Sequence, residues 1–126
     1  MPFVTVELDE TRAAAAAELF ATDENVLVLH GDWHELMPPE APFDLLFLDS
    51  GKQHPELDGD DVIGLLAPGA TIFMDDLTPG RPGPDPVREF WLNHPEIAAV
   101  EIMTTPETAA IVGTLNGRTG KAGPAS

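Results

Sequence analysis

Two apolar segments of this chain each end in aspartate. Residues 43–49 read Phe-Asp-Leu-Leu-Phe-Leu-Asp, and residues 70–76 read Ala-Thr-Ile-Phe-Met-Asp-Asp. Runs this apolar are typical of parallel strands covered on both faces, so their acids emerge only where the strands stop. Open α/β sheets bind ligands at that carboxyl edge. We therefore expect Asp49, Asp75 and Asp76 to converge on one ligand-binding site.

The charge and composition limit the kinds of partner. The 126 residues include 22 acids and 6 bases, which gives a formal charge of −16 and disfavours nucleic acid and membranes as partners. The lack of cysteine excludes disulfides, thiolate metal sites and a cysteine nucleophile. No apolar run exceeds strand length and no basic leader follows Met1. We expect a single cytoplasmic domain over residues 1–116 and a flexible tail over residues 117–126.

The first third of the chain predicts two strands around one helix. Residues 3–8 alternate and are β-branched, and Asp9 offers a side-chain N-cap to a helix that carries an alanine run. A second strand is expected at residues 26–29, with Asp32 just past its end. Residues 33–42 contain two successive prolines, so a short helical turn or a loop is expected there.

A helix is expected at residues 56–66, after the third strand. Ala67-Pro68-Gly69 should end that helix and turn the chain into a fourth strand at residues 70–74. The side chains expected to face inward from this helix are Leu57, Val62, Leu65 and Leu66.

The last third predicts a loop, a helix and a hairpin. Residues 77–86 hold four prolines and two glycines, which favours a mobile loop over the acidic edge. Asp85 and Pro86 are a typical helix start, and strands at residues 97–103 and 109–115 are close enough to pair. This order of elements predicts a Rossmann-like, doubly wound α/β fold, with a mostly parallel sheet and an antiparallel C-terminal hairpin.

Five segments taken in order carry a resemblance to a known family. They are Val-Thr-Val-Glu-Leu-Asp at residues 4–9, Gly-Asp at 31–32, the run at 43–49, Leu-Leu-Ala-Pro-Gly-Ala-Thr-Ile-Phe-Met-Asp-Asp at 65–76, and the hairpin. Together they resemble the class I S-adenosylmethionine-dependent methyltransferases, and most closely the metal-dependent O-methyltransferases of the catechol and caffeoyl-coenzyme A type. The resemblance runs to about Asn116.

The resemblance implies S-adenosylmethionine as the cofactor. Glu7 lies where the family has the acid that accepts hydrogen bonds from the ribose hydroxyls, and a carboxylate has two acceptor oxygens for them. Asp32 matches the position that meets the adenine amino group, and Trp33 offers a ring face beside it. Asp49 is also assigned to this cofactor site. The alternatives are that Glu7 is an exposed acid beside a helix start and that Gly31-Asp32 only forms a turn.

The resemblance also implies a metal site. Asp49, Asp75 and Asp76 match the family's divalent-metal ligands, although the family usually has Asp-Asn where this chain has Asp75-Asp76. Three oxygen donors with open positions suit Mg²⁺, Mn²⁺ or Ca²⁺ rather than zinc. The alternative is that Asp76 caps a turn in the proline-rich loop.

Two residues are candidates for the general base. Lys52 follows Asp49 as Asp-x-x-Lys, which in the resembled family places an amine by the acceptor hydroxyl. Neighbouring carboxylates raise the pKa of a lysine and so oppose this role, which leaves a surface Lys52 paired with Asp49 as the alternative. His54 could serve instead, and a divalent metal could itself acidify a bound hydroxyl. His30, His34 and His94 are expected to be surface or packing residues.

One family feature has no counterpart in this sequence. Family members begin with a strand that leads into a Gly-x-Gly turn, and no such segment precedes Glu7. That strand is central in the resembled sheet, so its removal leaves a gap of about 9 to 10 Å between the strands at residues 3–8 and 43–49. Either those strands pair directly, another chain supplies the strand, or the sequence is a fragment of a longer protein.

Two functional hypotheses follow. The first is metal-assisted methyl transfer from S-adenosylmethionine to a hydroxyl of a small-molecule acceptor. The second is a non-catalytic remnant or oligomeric binding domain, whose unpaired sheet edges form a subunit interface. Either way, a homo-oligomer is expected. A phosphoacceptor receiver module does not fit, because the acid pair at Asp75-Asp76 comes late and no lysine follows a fifth strand.

Overall fold

The computed structural model describes residues 2–49, 54–78 and 83–116, and of Asp76 it describes the backbone alone. The chain forms two compact units, Met1–Ala41 and Pro42–Ser126. Lys52, part of the proline-rich loop and the expected tail lie outside the described residues. No helix in the described part of the chain is long and apolar enough to cross a membrane.

The first unit is a two-stranded parallel sheet with one long helix. In chain order its elements are β1 (Phe3–Glu7), α1 (Glu10–Leu19), β2 (Val26–His30), α2 (Trp33–Leu36) and a 3₁₀ turn (Pro38–Glu40). The strands pair in register from Phe3↔Val26 to Glu7↔His30, so both end at the same edge. Helix α1 packs on both strands, and Ala13 is buried there because a methyl group allows close approach.

Aspartate side chains start both helices of this unit, as the sequence predicts for Asp9. The backbone N–H of Arg12 donates to Asp9 Oδ2 at 2.8 Å, which satisfies one of the unpaired donors at the start of α1. Asp32 caps α2 in the same way. The expected short helical turn within residues 33–42 is confirmed by α2 and the 3₁₀ turn.

The second unit is a four-stranded mixed sheet with two helices. Its elements are β3 (Phe43–Leu48), α3 (Pro55–Ile63), β4 (Leu66–Leu77), α4 (Pro86–Asn93), β5 (Ile97–Thr105) and β6 (Thr108–Leu115). The strand order is β3-β4-β6-β5. Strands β3 and β4 are parallel, and β6 runs antiparallel to both β4 and β5, which confirms the hairpin.

One face of this sheet is buried beneath the helices. Helix α4 packs on β5 and β6, and α3 packs on α4, where Gly59 leaves room for the Phe90 ring. The side chains that form the resulting core are Leu46, Leu48, Ile72, Met74 and Ile111 from the strands, with Val62, Val87 and Trp91 from the helices.

Two local predictions in this unit are wrong. Leu57 is 74% exposed rather than inward-facing, because the buried residues of α3 are Pro55, Gly59 and Val62 and Leu57 lies off that stripe. The predicted turn at residues 67–69 belongs to β4, and α3 ends earlier, at Ile63. The strand pairing advances from Phe43↔Leu66 directly to Leu45↔Thr71, so the residues between form a bulge on β4 with Gly69 at φ 81°.

The predicted α/β fold with an antiparallel C-terminal hairpin is confirmed. The sheet is divided, however, because β1 pairs with β2 in one sheet and β3 pairs with β4 in another.

Candidate functional site

Glu7 ends β1 at the carboxyl edge of the first unit. Its backbone carbonyl accepts a hydrogen bond from the Gly31 N–H at 3.0 Å, which ties the ends of β1 and β2 together. Its side-chain Oε2 accepts from the Asp9 N–H at 3.1 Å. The half-buried carboxylate is thereby held at the turn into α1, and a carboxylate has a second oxygen with which to accept a ligand hydroxyl.

Asp32 follows β2 at the same edge. Its Oδ1 accepts from the His34 backbone N–H at 2.9 Å and lies 2.7 Å from His34 Nδ1. The hydrogen bond from the His34 backbone is the main cause that lowers the pKa of Asp32, and the one with the His34 side chain lowers it further. The carboxylate therefore stays ionised into mild acid. Asp32 therefore does form the turn that the alternative interpretation assigns to it. The other carboxylate oxygen of Asp32, Oδ2, is the one that a ligand amine would meet.

Trp33 contacts His34, to which the sequence assigned no functional role. Its ring stacks on the His34 imidazole, with centroids 3.8 Å apart and planes 25° apart. One face of the indole is therefore covered, and a ligand ring would use the other. The Asp-x-His spacing, in which an N-capping acid reaches the residue two positions later, is the signal that could have drawn attention to His34.

Asp49 and Asp75 lie at the carboxyl edge of the second unit. Leu48 pairs with Met74, so the next residues along these two parallel strands are Asp49 and Asp75. Adjacent strands are about 4.8 Å apart, which brings the two aspartates to neighbouring positions at one edge. Asp49 is exposed and Asp75 half-buried. The backbone of Asp76 continues β4.

The candidate bases are less well defined. His54 is the N-cap residue of α3, and its Nδ1 lies 3.6 Å from Glu56 Oε1, with both side chains more than half exposed. Lys52 lies outside the described residues. Their assignment as general base stays a prediction.

Each unit therefore presents acids at the carboxyl ends of its parallel strands. The first unit offers carboxylate acceptors and one aromatic face, which suits hydroxyl and amine groups beside a flat ring. The second offers hard oxygen donors, which suit a divalent cation.

No family model and no curated protein match the sequence. Solved structures match the fold. They include the cofactor-bound protein Rv0187 from MTB, at TM-score 0.73 and 23% identity over 90% of this chain and 61% of that one. The O-methyltransferase from Bacillus cereus in complex with SAH has TM-score 0.71 and 20% identity over 91% of this chain and 63% of that one. The O-methyltransferase TomG from Streptomyces achromogenes, involved in tomaymycin synthesis and in complex with SAM, has TM-score 0.69 and 19% identity over 92% and 62%.

The TM-scores establish a shared fold, and at identities below 25% the likeness establishes the fold alone. The sequence-based resemblance to class I O-methyltransferases is confirmed at that level. The chain spans less than two thirds of the length of these three structures.

Proposed function

We propose that this protein binds S-adenosylmethionine and that its function is transfer of the methyl group to a hydroxyl of a small molecule. The observation that carries the proposal is the fold, matched at TM-scores of 0.71 and 0.69 to O-methyltransferases that hold SAH and SAM. The acids at the carboxyl ends of β1 and β3 support it, since open α/β sheets bind their ligands there.

The described residues have the chemistry to hold such a cofactor. Glu7 would accept hydrogen bonds from the two ribose hydroxyls, and Asp32 would accept one from the adenine amino group through Oδ2. The face of the Trp33 ring opposite His34 would stack on the adenine ring. When bound, the cofactor would supply a methyl group that the positive charge on its sulfur makes reactive toward an oxygen nucleophile.

Residues of the second unit would bind the acceptor. Asp49 and Asp75, with Asp76, would hold Mg²⁺, Mn²⁺ or Ca²⁺, a cation that lowers the pKa of a bound hydroxyl. Lys52 or His54 would take up the proton that this hydroxyl releases. Catalysis would rest chiefly on holding the acceptor oxygen in line with the methyl group.

The cofactor proposal is tested by titrating S-adenosylmethionine into the purified chain in a calorimeter. We expect Glu7→Gln to raise the Kd about tenfold or more, because hydrogen bonds to a charged acceptor contribute about 1.5–3 kcal/mol. Glu10→Gln is the matched control, since Glu10 is an exposed acid in the first turn of α1. An equal Kd for the two variants would remove Glu7 from the site.

The metal proposal is tested by Mn²⁺ binding, measured by water proton relaxation. Asp75→Asn should weaken Mn²⁺ binding at least tenfold, because the site loses a charged oxygen donor. Glu107→Gln, which changes an exposed acid in the hairpin turn, should leave Mn²⁺ binding unchanged. If both variants bind Mn²⁺ like the wild-type chain, the cation is not held at Asp75.

The divided sheet favours a second candidate, a homo-oligomeric binding domain without catalysis. Within the described residues β1 pairs only with β2 and β3 only with β4, so each has an edge that could pair with another subunit. Light scattering tests this candidate. A stable oligomer that binds no S-adenosylmethionine would favour it over methyl transfer, and a monomer that binds the cofactor would exclude it.

A further inference from the structure

The sheet of the second unit has a second face, opposite its helices. Arg88 of α4 donates to Glu101 at 2.8 and 2.7 Å, which fixes the face on which α4 lies. Because successive side chains of a strand point to opposite faces, the residues next to Glu101 and next to its partners on the other strands lie on the second face. Phe47, Phe73, Val112 and Val100 occupy equivalent positions on the four strands and form one row across that second face.

We call this second face the open face and define it by its large apolar residues, which are Leu45, Phe47, Phe73, Val100, Ile102 and Val112. Four of them are largely solvent-accessible, with exposed fractions of 60% for Leu45, 54% for Phe47, 60% for Val100 and 47% for Ile102. Single exposed apolar residues are common, but a contiguous apolar patch of a few hundred Å² is often functional. Parallel strands such as β3 and β4 are also normally covered on both faces.

The dimensions of the open face indicate what covers it. Four strands at about 4.8 Å spacing and some five residues of strand length give a surface on the order of 350 Å². A stable dimer needs roughly 800 Å² from each partner, so a second copy packed on this face alone is too small an interface. An α-helix of about 12 residues is about 18 Å long and 10 Å wide, and it fits.

The charge of the unit indicates the polarity of that helix. Arg88 is the only lysine or arginine among the described residues of the second unit, and it is engaged by Asp85 and Glu101. Glu96, an exposed acid just before β5, lies at one border of the open face, and the described residues of this unit include many more acids than bases. A second copy, with its own formal charge of −16, would bring mostly further acids to this face.

We propose that the open face is the docking surface for an amphipathic helix of another polypeptide segment, apolar on one side and flanked by lysine or arginine. The apolar stripe would cover the row from Phe47 to Val100, and the basic residues would meet the acidic surface of the unit around it. This is the helix-on-sheet packing by which α/β proteins bury apolar strands. The proposal does not depend on methyl transfer.

The test uses the whole chain and two synthetic 16-residue peptides that share one leucine stripe. One peptide carries lysine at the flanking positions and the other carries glutamate. We expect the lysine peptide to bind at least tenfold more tightly than the glutamate peptide, measured by calorimetry. Phe47→Thr with Val100→Thr should weaken the lysine peptide at least tenfold without any change in charge. Leu57→Ser is the matched control, because Leu57 is an exposed apolar residue off the face.

Three outcomes would overturn the proposal. The first is that the lysine peptide does not bind, or that it binds the double variant as tightly as the wild-type chain. Equal binding to those two proteins would mean that the peptide is attracted only by the overall charge. The second is equal binding of the two peptides. The third is a dimer in light scattering that the double variant abolishes, which would make a second copy the occupant. Thermal unfolding of each variant verifies that it folds, as expected for side chains more than half exposed.

Discussion

Arg88 is the residue whose contacts join α4 to β5. Its guanidinium donates two hydrogen bonds to the Glu101 carboxylate and one to Asp85, which also caps α4. All three side chains are less than one third exposed, so the interactions are only partly screened by water. These carboxylates together raise the pKa of Arg88 further above its ordinary range.

Arg88→Met is therefore expected to lower the free energy of unfolding by about 2–3 kcal/mol, since it leaves two partly buried acids without their cation. The free energy of unfolding of Arg88→Lys should lie between the values for Arg88→Met and the wild type, because an ammonium group cannot make the two parallel hydrogen bonds to Glu101. Urea unfolding measures both. If Arg88→Met is as stable as the wild type, the ion cluster contributes nothing.

Glu101 gives the chain a specific dependence on acid. The hydrogen bonds from Arg88 lower its pKa from the ordinary value of 4.5. Because the folded pKa lies below the unfolded one, the stabilisation is complete above the unfolded value and is lost as pH falls through the folded value. Between about pH 6 and pH 3 the wild type should thus lose more stability than Glu101→Gln. Parallel pH profiles of the two proteins would contradict this assignment.

The helices and strands follow from short-range signals in the sequence. Asp9 and Asp85 start α1 and α4 because their side chains accept backbone N–H groups that the first helical turn leaves unpaired. The hairpin follows from two β-rich runs separated by a short turn. The bulge in β4 does not follow, because Ala-Pro-Gly is a turn signal and only the register with β3 draws those residues into a strand. The exposure of Leu57 likewise depends on where α3 begins.

The packing of α3 on α4 is tested at Gly59. A Cβ at this position would lie 2.6 Å from Phe90 Cε2, closer than such atoms approach. Gly59→Ala should therefore destabilise the chain by about 1–3 kcal/mol through overpacking, although alanine is the better helix former. Gly64→Ala is the control, because its Cβ would meet no atom closer than 3.4 Å. If the two variants are equally stable, the contact between these helices is looser than described.

The candidate site was only partly predictable. Asp49 and Asp75 could be assigned to one edge because parallel strands end on the same side, and their register agrees. The stacking of His34 on Trp33 could not be predicted, since it depends on the side-chain geometry of the α2 cap. That β1 and β2 form a sheet of their own could not be predicted either, because the sequence left open how the strand missing from the resembled family is replaced.

The whole chain carries a charge of −16, which acts on its stability and its partners alike. Like charges repel most strongly in the compact state, so salt should stabilise this protein. We expect the Tm to rise when NaCl is increased from about 0.02 M to about 0.5 M, where the Debye length falls below roughly 5 Å. A Tm that falls with salt would mean that favourable ion pairs such as Arg88 with Glu101 outweigh the net repulsion.

We propose that the carboxyl edge of β1 and β2 in the first unit binds S-adenosylmethionine. Titration of its product, S-adenosylhomocysteine, into the isotope-labelled chain tests it directly by backbone NMR. We predict saturable shifts at the amides of Glu7, Asp32 and Trp33, with the amide of Glu107 in the hairpin turn unchanged. Spectra that do not change, or shifts confined to the hairpin, would show that this edge does not bind S-adenosylhomocysteine.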